Sequence, residues 1–411
     1  MEMSNFHRDE KKSTRKKEMS RFDIRNIFKF LEDSEHPSVG PHLGLLSLTG
    51  QWHPNENSIS TRLKMAVFSV TVFLFCSQYV KCLVHVEINS LLLILQYAPF
   101  HMGIIKTTLF QKDYSKWKEL IGYMSSTERR QISEDESEVE EVMDIYIKRG
   151  RRVTYFFWAL AFFSNFSIFS EPYQKNQTME NGTDIYVKIF NFVTPFNQDV
   201  PPGYYVSMVI QTVLGHIVSA YVVAWDTLVV STMIFFAGQL KISRIYCVRV
   251  IEAGSAEQSH RNIVMCHQFH VSLVKYQKLF NSLISSVMFV YLVVVSVNLG
   301  VCIIQLSQLK DDLAALMASV LFVVACLIQL LIFYWYGSQV TEESVLVSYG
   351  IFESDWFKMD AKVLKEVLLL QRATSKRLVF RAGPFNEMSL TTFVAILRSS
   401  YSFYTLLNET K

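Results

Sequence analysis

Seven apolar stretches divide the chain, and polar or charged segments separate them. They run near 63–86, 91–110, 153–170, 204–238, 283–306, 313–336 and 386–407. Most reach the roughly 20 residues that a helix needs to cross about 30 Å of hydrocarbon. Backbone polar groups in lipid are satisfied only in helices or closed barrels. The pattern therefore predicts an all-α, seven-transmembrane-helix membrane protein. The fourth stretch is the longest, and a helix over it is about 50 Å long, so one end projects well beyond a bilayer. The seventh changes character after Leu397, where Ser399, Ser400, Tyr401, Ser402, Tyr404 and Thr405 follow Arg398. So many hydroxyls are unneeded against lipid, and one face of that helix is expected to meet other helices or water.

The segments between the stretches are patterned as well. Phe22, Ile24, Ile27, Phe28 and Leu31 fit a short amphipathic helix, packed locally or lying on a membrane surface. Residues 128–149 are acidic and helix-prone, and read as a solvated extension. Residues 359–378 place Val363, Leu364, Val367, Leu368 and Leu370 on one stripe, opposite Lys362, Lys365 and Glu366. A helix of that kind needs a surface to pack on, and Val363, Val367 and Leu370 are assigned to contact between subunits.

Charge orients the map. Placing the N-terminus in the cytoplasm puts 34 of the 40 Lys and Arg in inside segments and four in outside ones. Such a bias predicts an N-terminus inside and a C-terminus outside. The chain then reads as a cytoplasmic segment over 1–62, six spans with a ligand pocket over 63–337, a cytoplasmic loop and amphipathic helix over 338–385, and a last span with a short outer tail over 386–411. The sequons Asn176-Gln-Thr and Asn181-Gly-Thr both fall in the long outside loop, where glycosylation occurs. The charged first thirty residues do not form a cleavable signal peptide. None of the six cysteines lies in that outside loop, so no disulfide framework is expected.

Composition agrees: half the residues are hydrophobic, with 31 Phe and 19 Tyr, more than a soluble protein carries. No glycine-rich nucleotide loop, CxxC pair or histidine box points to an enzyme, a cofactor or a nucleic-acid partner. His267-x-x-His270 has metal-ligand spacing but no third ligand nearby, and reads as two solvated side chains. Asp226 is an acid inside a span, where either a hydrogen bond to a neighbouring helix or a role in ion passage would keep it. Lys81 can snorkel to the outer interface. Arg398 sits mid-span and is expected to find carbonyls or hydroxyls. Tyr97, Phe100, Trp158, Phe162, Phe163, Tyr204, Tyr205 and Met208 fall in the outer halves of spans two to five. As a set they are candidates to line an apolar pocket for a small molecule, with packing or lipid contact as the alternative for each.

The last 75 residues carry a resemblance. Tyr336-Gly337, Glu343-Ser344, Trp356 before the amphipathic helix, Arg381 to Phe385, Ser389-Leu390, Phe393 and the Ser400 to Tyr404 run together resemble insect odorant receptors. Ala224-Trp225-Asp226 and the seven-span plan extend the likeness along the chain. The loop 239–278 is short for the shared co-receptor of that family, so the resemblance is to a ligand-tuned subunit. It implies a heteromeric, ligand-gated, non-selective cation channel, a heterotetramer with the co-receptor, in the plasma membrane of olfactory sensory neurons, opened by a small volatile odorant. Aligning Ser389-Leu390 and Phe393 with the family's last helix sets Leu406 where an apolar gate would sit. Ser402, Leu406 and Glu409 share a face by their spacing, and Glu409 would attract cations near the outer mouth. A G-protein-coupled receptor is the first alternative. It is disfavoured by the charge map, by the lack of Asp-Arg-Tyr after span three and by the lack of Asn-Pro-x-x-Tyr in span seven. A gustatory-type receptor is the second, and the Thr-Tyr-x-x-x-Gln-Phe ending typical of that class is missing.

Overall fold

One helix organises the bundle. It runs Gly203–Val248, and every residue from Val223 to Leu240 is buried. A helix apolar on all sides has to be covered on all sides, and its neighbours do this. The computed structural model describes residues 32–53, 58–84, 88–134, 136–175, 177–178, 184–251, 255–308 and 313–409. In chain order the helices are α1 (Gly40–Leu48), α2 (Ile59–Val84), α3 (Ile88–Gln96), α4 (Ala98–Lys112), α5 (Tyr114–Ser133) and α6 (Ser137–Lys175). Then come the central α7, α8 (Ala256–Gln308), α9 (Leu313–Phe352), α10 (Ala361–Thr374) and α11 (Leu390–Glu409). Two short antiparallel ribbons complete it, β1 (Gln177–Thr178) with β2 (Asp184–Ile185) and β3 (Arg381–Ala382) with β4 (Asn386–Glu387). α4, α6, α8 and α9 pack around α7, and α1 closes against it at one end.

Among the described residues, five helices are long and apolar enough to cross a membrane: α2 and α6 to α9. Their outward faces are apolar too, with Leu63, Phe73, Leu83 and Phe166 exposed, as lipid contact demands. The second apolar stretch departs from a single span. It is two helices, α3 and α4, broken at Tyr97. Pro99 cannot donate to a continuing helix and disfavours helical backbone before it. The carbonyls freed at the break, Leu95 O and Gln96 O, accept from Asn298 Nδ2 on α8 at 2.7 and 2.9 Å.

The two ends of the bundle differ. The basal end holds α1, α5, α10 and the extended parts of α6 to α9. Here Gln131 and Gln239 exchange two amide hydrogen bonds at 2.8 and 2.9 Å. Glu128 Oε2 accepts from Ser38 N at 3.1 Å, and burial pushes its carboxyl up to about 7 against the pull of that bond and of Arg151. The acidic segment read as a solvated extension therefore starts inside the core. α10 opens with Asp360 Oδ1 accepting from Val363 N at 2.9 Å, an N-cap. Val363, Val367 and Leu370, expected at a contact between subunits, turn inward and are buried in the chain's own core. The stripe packs on α8 and α9, which fills the surface it needed. The apolar positions that α10 leaves uncovered are Leu368 and Leu369, 64% and 70% exposed. At Gly383 the φ of +74° makes the turn between β3 and β4, and Phe289 would block a side chain there.

The opposite, loop end is held by aromatic rings. Residues 186–202 fold down into the bundle, burying Ile189, Phe190 and Phe192. Phe190 meets the rings of Phe75, Tyr97, Phe100 and Phe192 at 5.1 to 5.9 Å. Gln211 Oε1 anchors the segment by accepting from Ile189 N and Phe190 N at 3.2 and 2.9 Å. Phe169 enters the same cluster across Gly215, where a Cβ would lie 1.9 Å from its ring.

Candidate functional site

Between the aromatic cluster and the basal core lies a cavity, bounded by α4, α6, α7 and α9. Its interior offers about 70 Å³, room for only part of a small ligand between the side chains as they stand, and it is open on one side. Its wall is mostly apolar, with Phe100, Phe157, Val222, Val223 and Phe322. Phe100 also belongs to the aromatic cluster and meets Phe190 of the folded-down loop on its other side. The polar atoms are few. Ser219 Oγ donates to Asn165 Oδ1 at 2.8 Å, and Gln329 stands at the inner end, where it also lines a narrower crevice with Asp226 and Thr227.

Behind Gln329 is a buried ion pair. Lys106 Nζ lies 2.6 Å from Asp226 Oδ1, with the two side chains 1% and 2% exposed. Gln329 Nε2 donates to the other carboxylate oxygen, Asp226 Oδ2. The ammonium also sits 4.3 Å from the centre of the Tyr291 ring and 5.2 Å from that of Trp225, within cation–π range. Desolvating two charges is costly, and the extra hydrogen bond and ring faces compensate it in part. The pair ties α4, α7, α8 and α9 at one depth. Asp226 thus makes an interhelical bond, and its partner is a lysine that the sequence reading counted among loop charges. Removing Lys106 from that count leaves the bias strongly one-sided.

The residues proposed from sequence separate into groups. Tyr97, Phe100, Tyr204 and Met208 are buried together in the loop-end cluster, and of these Phe100 reaches the cavity wall. Trp158 is half-buried, with Nε1 donating to Thr227 Oγ1 at 3.2 Å. Phe162, Phe163 and Tyr205 lie on the outer surface, 62%, 61% and 53% exposed, and are not brought to the others. The sequence reading missed Phe157, Asn165, Ser219, Phe322 and Gln329. Three of these are uncharged polar residues inside apolar stretches, and that was the available signal. Lys81 Nζ donates to Asn191 Oδ1 at 2.6 Å. His270, expected in solvent, is buried, and no group of metal ligands occurs among the described residues.

On α11, Thr391, Ala395, Arg398 and Ser402 form an uncovered stripe, with Ser402 Oγ donating to Arg398 O at 3.1 Å. Arg398 has no partner among the described residues, in place of the expected carbonyls or hydroxyls. Leu406 and Glu409 continue the stripe by spacing, and their side chains lie outside the described part, as do the sequons at Asn176 and Asn181. Tyr334 of α9 packs against Phe393 of α11, ring centres 6.5 Å apart. The inner end of the cavity and α11 are therefore linked through little more than one turn of α9.

Comparison with known proteins gives three kinds of match. A family model described as 7tm Odorant receptor matches residues 87–401. Among curated relatives, Odorant receptor 10 of Aedes albopictus is 24% identical over 213 residues, covering 51% of this chain and 56% of that one. Odorant receptor 82a of Drosophila melanogaster is 28% identical over 219 residues, covering 52% and 56%. The chain thus spans about half the length of these relatives. Among solved structures, the insect olfactory receptor OR5 from Machilis hrabei in complex with eugenol superposes with a TM-score of 0.78. That match covers 92% of this chain and 100% of that one at 13% identity, a likeness of fold.

Proposed function

The chain belongs to the seven-transmembrane odorant receptor family of insects, and from that premise we propose that it is the odorant-tuned subunit of a heteromeric, ligand-gated, non-selective cation channel. The family is one of receptors and channels rather than enzymes. The observation that carries the proposal is the apolar, one-side-open cavity whose inner end, Gln329, stands little more than one turn of α9 from the contact between Tyr334 and Phe393 on α11. A small, mostly apolar volatile fits that wall, and its arrival has a short route to the last helix.

In this reading the partner is the odorant receptor co-receptor, in a heterotetramer in the plasma membrane of olfactory sensory neurons. The N-terminus lies in the cytoplasm and the C-terminus outside, as the Lys and Arg distribution supports. The uncovered stripe of α11 lines the pore, with Ser402, Leu406 and Glu409 along it and Leu406 as the apolar gate. Leu368 and Leu369 of α10 take the place of the buried stripe as the contact with the next subunit. The test is current recording from cells expressing the chain with and without the co-receptor. Odorant-evoked cation current is expected only with both, and Leu406→Ser is expected to give current without odorant. Full odorant current from cells lacking the co-receptor would overturn the heteromer.

A further inference from the structure

The hydrogen bonds behind the cavity fix what its deepest polar atom can accept. An ionised carboxylate accepts hydrogen bonds and donates none. The Lys106 ammonium 2.6 Å from Asp226 Oδ1 favours that ionised state. The Gln329 amide facing it must therefore present its NH2, as observed. The usual ambiguity between the two amide atoms is removed by chemistry. It follows that Gln329 Oε1 points away from the carboxylate. Oε1 makes no hydrogen bond among the described residues, yet it is not among the fully buried unpartnered atoms. It stays open to space at a residue that lines the cavity.

We infer that the ligand of this cavity carries a neutral hydroxyl, a small alcohol or phenol, whose O–H donates to Gln329 Oε1. The inference rests on the odorant reading above and narrows it. A ketone, aldehyde, ester or ether of the same skeleton brings an acceptor to an acceptor and leaves both desolvated and unpaired, which costs more than the bond is worth. An ammonium donor is disfavoured because Lys106 already places a positive charge on the other side of Asp226. A carboxylate would bring a second anion toward Asp226. Phe157, Val222, Val223 and Phe322 hold the carbon skeleton, and the other polar side chains of the wall, Ser164, Asn165 and Ser219, lie on α6 and α7, with Asn165 and Ser219 bonded to each other.

The test is a matched series recorded from the chain with its co-receptor. The probes are benzyl alcohol, benzaldehyde and benzyl methyl ether, with 1-hexanol, hexanal and hexyl methyl ether as the second skeleton. On at least one skeleton the alcohol is expected to act at a concentration about tenfold lower than the aldehyde or the ether. In Gln329→Met, read only in complexes that reach the surface, that ratio is expected to collapse to within about twofold. The series in the unaltered chain needs no variant to fold. Equal potency of alcohol and aldehyde, or a ratio that survives Gln329→Met, overturns the inference and leaves a working odorant receptor. A surface complex that answers none of the six probes and no broad mixture of volatiles overturns the odorant reading, and this inference with it.

Discussion

Both ends of the bundle pack aromatic rings, around Phe236 and Phe280 at the basal end and around Phe190 at the loop end, and they differ in the polar groups buried beside the rings. At the basal end and around the ion pair, side chains are joined by directional bonds: Lys106 to Asp226, Asp226 to Gln329, Gln131 to Gln239, Ser38 to Glu128. Each has one good geometry, and a displaced partner leaves a buried polar group unpaired. At the loop end the rings cluster around Phe190, and the buried bonds of Gln211 beside them join uncharged groups. Ring contacts are worth about 1 kcal/mol each and tolerate sliding and tilting. The cavity lies between the two, with Phe100 of the ring cluster on one side and Gln329, bonded to the ion pair, at its inner end. A receptor that must admit a ligand and still report it needs that asymmetry.

The sharpest way to break the comparison is to cut one bond on each side. Asp226→Asn strands the Lys106 charge and is expected to cost about 3–5 kcal/mol, seen as loss of surface expression. Lys106→Met with Asp226→Leu should recover much of it, since an apolar pair replaces the charges. Phe190→Leu at the loop end is expected to cost on the order of 1 kcal/mol and to keep expression near normal. Equal losses from Asp226→Asn and Phe190→Leu would erase the distinction. A smaller effect separates core from contact within the basal end. Val367→Asp, at a buried position, should reduce folded protein severalfold. Leu368→Asp should keep the fold and weaken co-purification with the co-receptor. Loss of co-purification from Val367→Asp at normal yield would return the contact to the buried stripe.

The smallest expected effect is the pH dependence of Glu128. Its folded pKa, about 7, is raised by burial above the unfolded value. Its stabilising contribution is therefore complete below the unfolded pKa and is lost as pH rises through about 7. Thermal unfolding of the complex should fall by a few degrees over that interval, and Glu128→Gln should flatten the fall.

Much of the architecture was legible because membrane spans declare themselves by length and apolarity. The long fourth stretch announced the extended α7, and the helix continues past Gly238 to Val248. The site was less legible, for a physical reason. Periodicity reveals that a face needs cover without naming what covers it, so the α10 stripe was readable and its partner α8 was not. Lys106 looked like a loop charge because its acid is 120 positions away in sequence. Phe162, Phe163 and Tyr205 had the composition of a pocket, but helix rotation turns them outward. The loop that packs behind Phe100 left a clue in Ile189, Phe190 and Phe192, apolar residues where a solvated loop has no use for them.

The continuous burial of α7 from Val223 to Leu240 sets the mechanics of the molecule. A shaft gripped on every side for five turns cannot roll or tilt without prising apart all its neighbours at once. It serves as the stator. Several helices have a free flank, and α9 and α11 are the two that connect the cavity with the proposed pore face: Trp335 and Tyr349 are exposed on the first, the Arg398 stripe on the second. In the channel proposed above, opening would be a small swing of two outer levers against a fixed axle, with the Lys106–Asp226–Gln329 bonds as the pin through the hinge.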